Sequence, residues 1–303
     1  MKYFFFMIVT FAVGCNSIQG QQDPQYTQYM FNQSVINPAY AGINDFFQIT
    51  SSYRNQWTGF PGAPRTITIS GHGPIGNQIG FGVSAISDQH GPVKESNIYS
   101  DISYHLKISE TVKLAFGLKC GITIHDIGLA SVNVIDPNDP FFSQNINENN
   151  LNIGAGAFLY TEKYYIGISM PNMIKSVHLE ENGTKLGSEA LHYFITAGYI
   201  FNVSKSTLFK PSLMVKSSLE SPVSFDLNAN FLFFEKLELG TSYRYQDALS
   251  ALINFQLLPN LRLGYAYDYV VSDINYSGPA SHEIFLQFDL NLNNKVSRSP
   301  RFF

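Results

Sequence analysis

From Leu261 to Tyr269 the chain alternates strictly. Leu261, Leu263, Tyr265, Tyr267 and Tyr269 are large and apolar, while Arg262, Gly264, Ala266 and Asp268 are small or charged. A strand points successive side chains to opposite faces, so this stretch has one greasy face and one polar face. Leu237 to Gln246 repeats the pattern, and so does the stretch ending in Ile284, Leu286, Phe288 and Leu290. Alternation and turn residues together predict fourteen or so strands: 46–54, 65–72, 78–87, 96–108, 111–125, 150–160, 163–170, 191–201, 208–217, 223–234, 236–246, 248–258, 260–270 and 281–292. Their lengths are near the ten or so residues a tilted membrane strand needs. An even number suits a bacterial single-chain barrel and puts both chain ends at the periplasmic side. The expected fold is all-β, an antiparallel outer-membrane β-barrel over 46–292, with apolar side chains on lipid and polar ones in the lumen.

The connections alternate in length, as periplasmic turns and outer loops do. Residues 55–64, 88–95, 126–149, 171–190 and 271–280 read as long outer loops. Pro211 is out of place inside a strand, because a ladder cannot spare its N–H, and it suggests a later start for that strand. Residues 22–45 do not alternate. Asp23 with Pro24 can open a short helix bearing Tyr26, Tyr29, Met30 and Gln33 on one face, and Asn37-Pro38 can stop it. This segment (21–45) is either a plug in the barrel or a periplasmic piece packed on the rim.

Composition fits the same picture. Charged residues are 14% of the chain, below the usual quarter, and a lipid-facing wall needs few. The net charge of −4 and the lack of a basic block give no sign of nucleic acid. Residues 1–20 read as a signal peptide: Lys2, a short apolar core from Phe4 to Val13, and a small-residue cleavage site at Gly20. Lipoprotein processing at Cys15 is the rival. Cys120, between Leu118 and Ile122, reads as a buried or lipid-facing small hydrophobe. Residues 293–303 are left as a C-terminal periplasmic tail.

A longer string goes beyond architecture. Asp23-Pro24-Gln25-Tyr26-Thr27-Gln28-Tyr29-Met30-Phe31-Asn32 is followed by Ile36-Asn37-Pro38-Ala39-Tyr40-Ala41-Gly42, then by Tyr53-Arg54-Asn55-Gln56-Trp57 and Gly62-Ala63-Pro64-Arg65-Thr66. The chain ends Ser299-Pro300-Arg301-Phe302-Phe303. This order resembles the PorP/SprF family of type IX secretion system outer-membrane proteins. The resemblance implies a Bacteroidota-type outer membrane and a role in protein secretion or gliding motility. It further implies, as partners, the type IX secretion machinery and the C-terminal domain of a secreted surface adhesin. A core component and a dedicated adhesin partner both remain open.

Catalytic chemistry is poorly supported, and the protein is expected not to be an enzyme. The seven histidines show no metal spacing, and no cofactor motif is found. His105 and His125 fall on polar faces of neighbouring strands, where they could meet in the lumen. Ser103 and His105 share a face, though nothing in the pattern selects them as a nucleophile and base. The Gly80-Phe81-Gly82 and Gly154-Ala155-Gly156 stretches read as relief of crowding inside a barrel. Asp101, Lys107, Lys113, Lys119, Asp226, Glu238, Arg244, Arg262, Asp268 and Asp289 point inward, with mixed sign. They fit a closed, salt-bridged lumen or a hydrated pore. Trp57 and Phe60 in the first outer loop, and Phe141 and Phe142 in the 126–149 loop, are the candidate partner-binding residues. Interfacial belt or loop packing is the plainer role for each. The functional alternative is passive transport of small hydrophobic or polar solutes.

Overall fold

The computed structural model describes residues 25–132, 142, 144–174, 177–181, 184–188, 191–218, 221–272 and 280–290. The expected signal peptide, the C-terminal tail and Phe141 lie outside the described residues. Strands follow in the order β1 (Phe47–Thr58), β2 (Arg65–Pro74), β3 (Ile79–His90), β4 (Val93–Lys107), β5 (Lys113–Ile127), β6 (Ile146–Tyr160) and β7 (Tyr164–Met170). A hairpin of β8 (Val177–Glu181) and β9 (Thr184–Ser188) makes a separate sheet in the next connection. The main sheet resumes with β10 (His192–Tyr199), β11 (Phe201–Ser204), β12 (Thr207–Ser218), β13 (Ser221–Phe233), β14 (Leu237–Arg244), β15 (Ala248–Leu258), β16 (Leu261–Val270) and β17 (Ala280–Leu290).

Every neighbouring pair is antiparallel. β10 bridges β7 and β12, and β1 pairs with β17 from Phe47↔Leu290 to Thr58↔Ala280, so fourteen strands close a barrel and β11 is one extra strand. The faces are those the alternation demands. Along β16, Arg262, Gly264, Ala266 and Asp268 are buried, whereas Leu263, Tyr265, Tyr267 and Tyr269 are exposed on the outside. Cys120 is exposed on the outer face of β5, beside the inward, buried Lys119. Among the described residues no helix is long and apolar enough to cross a membrane.

Three expectations of detail are corrected. The 88–95 loop is a two-residue turn: β3 and β4 pair as far as His90↔Val93, and Gly91 adopts a φ of 55°. Alternation weakens there because polar residues occupy both faces, as Asp88-Gln89-His90 and Lys94-Glu95-Ser96 do. Pro211 does not delay β12, which begins at Thr207. The ladder to β13 runs through Pro211↔Ala229, while the ladder on the other side breaks between Gly198↔Ser212 and Phe201↔Phe209. That break separates β10 from β11, and the Ile200 N–H turns to the Lys163 carbonyl instead, at 2.7 Å. The missing donor of the proline thus coincides with the interruption. Thirdly, residues 25–46 form no single helix. They make three successive 3-10 turns, Tyr29–Phe31, Gln33–Val35 and Pro38–Tyr40. Asn37-Pro38 opens the third turn, with the Asn37 side chain accepting from the Ala39 N–H at 3.0 Å.

Those turns lie inside the ring. Tyr29, Met30 and Phe31 are consecutive and all buried, as are Gln33 to Ala41. A segment walled on every side has no need of one apolar stripe, so the helical spacing of Tyr26, Tyr29, Met30 and Gln33 does not decide its conformation. Tyr29, Met30, Phe31, Ile36, Ala39 and Tyr40 join Ala115, Phe158, Tyr165, Phe194, Met214, Leu252 and Phe285 of the wall in one core. The barrel's hydrophobic core is therefore the packing between wall and segment.

Candidate functional site

The segment runs the height of the lumen. Its Gln25 end sits at the loop end of the barrel, near Arg54, Arg244 and Glu283, and its Phe46 end enters β1 at the opposite rim. At the loop end its polar groups are gripped by charges. The Thr27 and Gln28 N–H groups donate to the Glu283 carboxylate at 2.8 and 3.1 Å. The Thr27 hydroxyl donates to Asp268 at 2.8 Å and accepts from Arg54 at 2.9 Å. Arg54 also pairs with Asp268 at 2.7 Å and with Glu283 at 3.2 Å. Arg244 binds Asp226 at 3.1 Å, the Gln25 side chain at 3.1 Å and the Tyr26 carbonyl at 3.4 Å. These groups are almost wholly buried, so removing one partner strands the other without water.

Lower down the grip changes character. Tyr29 accepts from the Asn228 amide at 2.7 Å. The Asn37 amide donates to the carbonyls of Ala157 and Ile168 at 3.2 and 3.3 Å. The Gly42 N–H reaches His72 Nδ1 at 3.3 Å, and Tyr40 packs edge-on against His72 and Phe158. Between these points the segment's backbone touches the wall. A side chain at Gly80 would overlap Ala41, one at Gly117 would overlap Pro38 and Ala39, and one at Gly156 would overlap Asn37. Of the glycines expected to relieve crowding, Gly80 and Gly156 make room for the segment, whereas Gly154 makes room for Pro171.

The inward charges are mostly paired. Lys119 meets Asp101 at 2.8 Å, Lys210 meets Glu238 at 2.7 Å, and Arg244 and Arg54 hold Asp226 and Asp268. Arg262 stacks over Phe31 at 5.7 Å, and Asp289 accepts from Gln287 at 2.9 Å. Lys107 and Lys113 are corrections: both are exposed at the β4–β5 turn, where Lys107 pairs with Glu110 at 2.9 Å. Arg54, Lys210 and Glu283 belong to the lumen network and were not among the expected inward charges. Arg54 and Glu283 were readable from the outward Tyr53 and Ile284 beside them.

The histidines do not meet. His105 lies against Tyr160 and His125 lies near Glu95 at 3.8 Å, ten residues further along the barrel wall on β5's side. Ser103 and His105 are in contact at 2.9 Å, but both are engaged by the segment. The Ser103 hydroxyl donates to the Ala41 carbonyl at 2.5 Å, and His105 Nε2 lies 2.9 Å from that same oxygen. A nitrogen donating to a carbonyl cannot take the serine proton, so the pair anchors the segment. Trp57 is half-buried at a bulge near the end of β1, with a φ of 50° and its N–H on the Ser281 hydroxyl at 3.1 Å. Phe60 is exposed in the turn that follows, and Phe142 is half-buried. A cavity of ≈ 20 Å³ lies beside Tyr29, bounded by Tyr26, Met214, Asp226 and Arg244, which is about the room one water needs. A second, of ≈ 10 Å³, adjoins Gln28 and Glu283.

A family profile described as "Type IX secretion system membrane protein PorP/SprF" matches residues 18–288. No curated protein matches the chain in sequence. Among solved structures, a Pseudomonas aeruginosa FadL homologue aligns with a TM-score of 0.50 at 13% identity, covering 89% of this chain and 95% of that one. The CymD monoaromatic hydrocarbon channel aligns at 0.47 and 11% identity, covering 85% and 91%. Omp33 of Acinetobacter baumannii aligns at 0.46 and 8% identity, covering 82% and 100%. At such identity the FadL homologue speaks for the barrel fold alone.

Proposed function

This chain belongs to the PorP/SprF family of type IX secretion system membrane proteins, in the outer membrane, and from that premise we propose that it is a non-enzymatic docking component. In this reading it receives the C-terminal domain of a secreted surface protein such as a gliding adhesin, or anchors the secretion machinery in the membrane. The observation that carries the reading is the filled lumen. A folded or extended polypeptide cannot pass where residues 25–46 pack against the wall on all sides, so a protein partner has only the loops, the rim and the outer wall to hold. Trp57, Phe60, Phe141 and Phe142 are the aromatic anchors we assign to that contact, since buried aromatics dominate interface energies. The same filling weighs against passive transport of hydrophobic or polar solutes.

The test is a mild-detergent pull-down of the mature protein with mass spectrometry. Co-purification of secretion components or of a large surface protein is expected. Their absence, together with solute uptake that falls on deletion while surface display is unchanged, would overturn the reading in favour of transport.

A further inference from the structure

The inner segment has a direction. Its Phe46 end enters β1 at the turn end of the ring, where Phe47 faces Leu290. Read backwards from there, its contacts climb toward the loops. Ala41 and Gly42 meet His72, Gly80, Ser103 and His105, close to the β2–β3 and β4–β5 turns. Ile36 and Asn37 meet Ser169, Ala157 and Ile168. Tyr29 takes a hydrogen bond from Asn228, midway along β13. Gln25 to Gln28 then lie among Arg54, Arg244, Asp268 and Glu283, each within four residues of the loop end of its strand.

That end is the outer one. The connections 128–145, 171–191 and 271–279 all leave the end of the ring at which Gln25 lies, whereas two- to five-residue turns close the end at Phe46. In an outer-membrane barrel the long connections face the medium and the short turns face the periplasm. The chain leading into Gln25 therefore arrives from the outer mouth. It cannot double back through the lumen, which residues 25–46 fill. Four residues, 21–24, separate the expected cleavage point after Gly20 from Gln25. Fully extended they span about 14 Å, less than the roughly 25 Å height of the apolar band. Nor can this end slide inward. Glu283 holds the Thr27 and Gln28 N–H groups, and Arg244 holds the Gln25 side chain and the Tyr26 carbonyl.

We propose that the mature amino end is presented outside the cell, as part of the surface open to extracellular partners. An even strand number puts the start of β1 and the end of β17 at the periplasmic rim, and the inner segment carries the amino end to the opposite face. Processing at Cys15 would have the same consequence, because its acyl chains would then enter the leaflet that faces the medium. The inference does not depend on the docking role: a pull-down without partners would leave it standing, and it fails on topology alone.

The test is cysteine labelling of whole cells in a Cys120→Ala background, scored on the heat-modifiable band so that only folded barrel counts. Gln22→Cys is expected to react with a membrane-impermeant maleimide on intact cells as fully as on cells whose outer membrane has been permeabilised. Lys205→Cys, in the exposed turn between β11 and β12, is expected to react only after permeabilisation. Labelling of Gln22→Cys only after permeabilisation, or in neither state, would overturn the proposal. Labelling of Lys205→Cys on intact cells would overturn it too, because the barrel would then stand the other way up.

Discussion

Strands β3 and β5 meet the backbone of the inner segment, and β6 meets its Asn37. Gly80, Gly117 and Gly156 leave the room that Ala41, Pro38-Ala39 and Asn37 occupy, and Ser103 and His105 close on the Ala41 carbonyl. Strands β13 to β16 meet the same segment through side chains. There Gly240 and Gly264 make room for the wall's own Asn230 and Asn254, and the bonds to the segment run through Asn228, Arg244 and Asp268. One half of the barrel is a mould and the other is a polar lining. Shape decides fit in the first and hydrogen bonding in the second, so equal substitutions should have unequal effects.

The largest effect is expected at Gly117. A valine there overlaps the backbone of Pro38 and Ala39, which cannot retreat without unseating the segment, so the folded, heat-modifiable band should be lost on unboiled gels. Next comes Lys210→Met, which leaves Glu238 buried and unpaired. Roughly 3–5 kcal/mol of stability should go, read by urea unfolding in detergent or lipid. A lysine at outward Leu263 should cost about 1–3 kcal/mol, between the interface and midplane values for a charge on the lipid face, whereas Arg262→Lys on the inner face should cost less. Equal losses from those two would mean that the assignment of lipid and lumen faces is wrong. The smallest effect is expected from Asn254→Leu, within about 1 kcal/mol of wild type in the same unfolding experiment, because it breaks no bond to the protein. If Asn254→Leu proved as damaging as Gly117→Val, the distinction between mould and lining would fail.

Much of the wall was legible because its signal is local. A period of two tells every strand residue which way it faces, and Leu263 against Arg262 could be placed from nine residues. The fourteen strands of the ring were readable for the same reason. The inner segment was not. Its family-like string marked it as special, but its three short turns answer to strands a hundred or more residues away, as Asn37 does to Ala157 and Ile168. The ion pairs show the same limit. The mixed signs were visible, but Arg54 finds Asp268 and Glu283 only because the ring closes. Lys210 pairs with Glu238, 28 residues on, and stands beside Pro211, whose place in a strand the local pattern does not explain. The Ser103–His105 adjacency was visible, and only the Ala41 carbonyl reveals its structural use.

The pairing of β1 with β17 also governs how such a molecule can be made. The first strand of the ring must wait for the last to be synthesised before its free side is satisfied. The residues that come to lie in the middle precede both. Assembly therefore wraps staves around a peg already present, and a finished cask could not be filled from either mouth without first being unhooped.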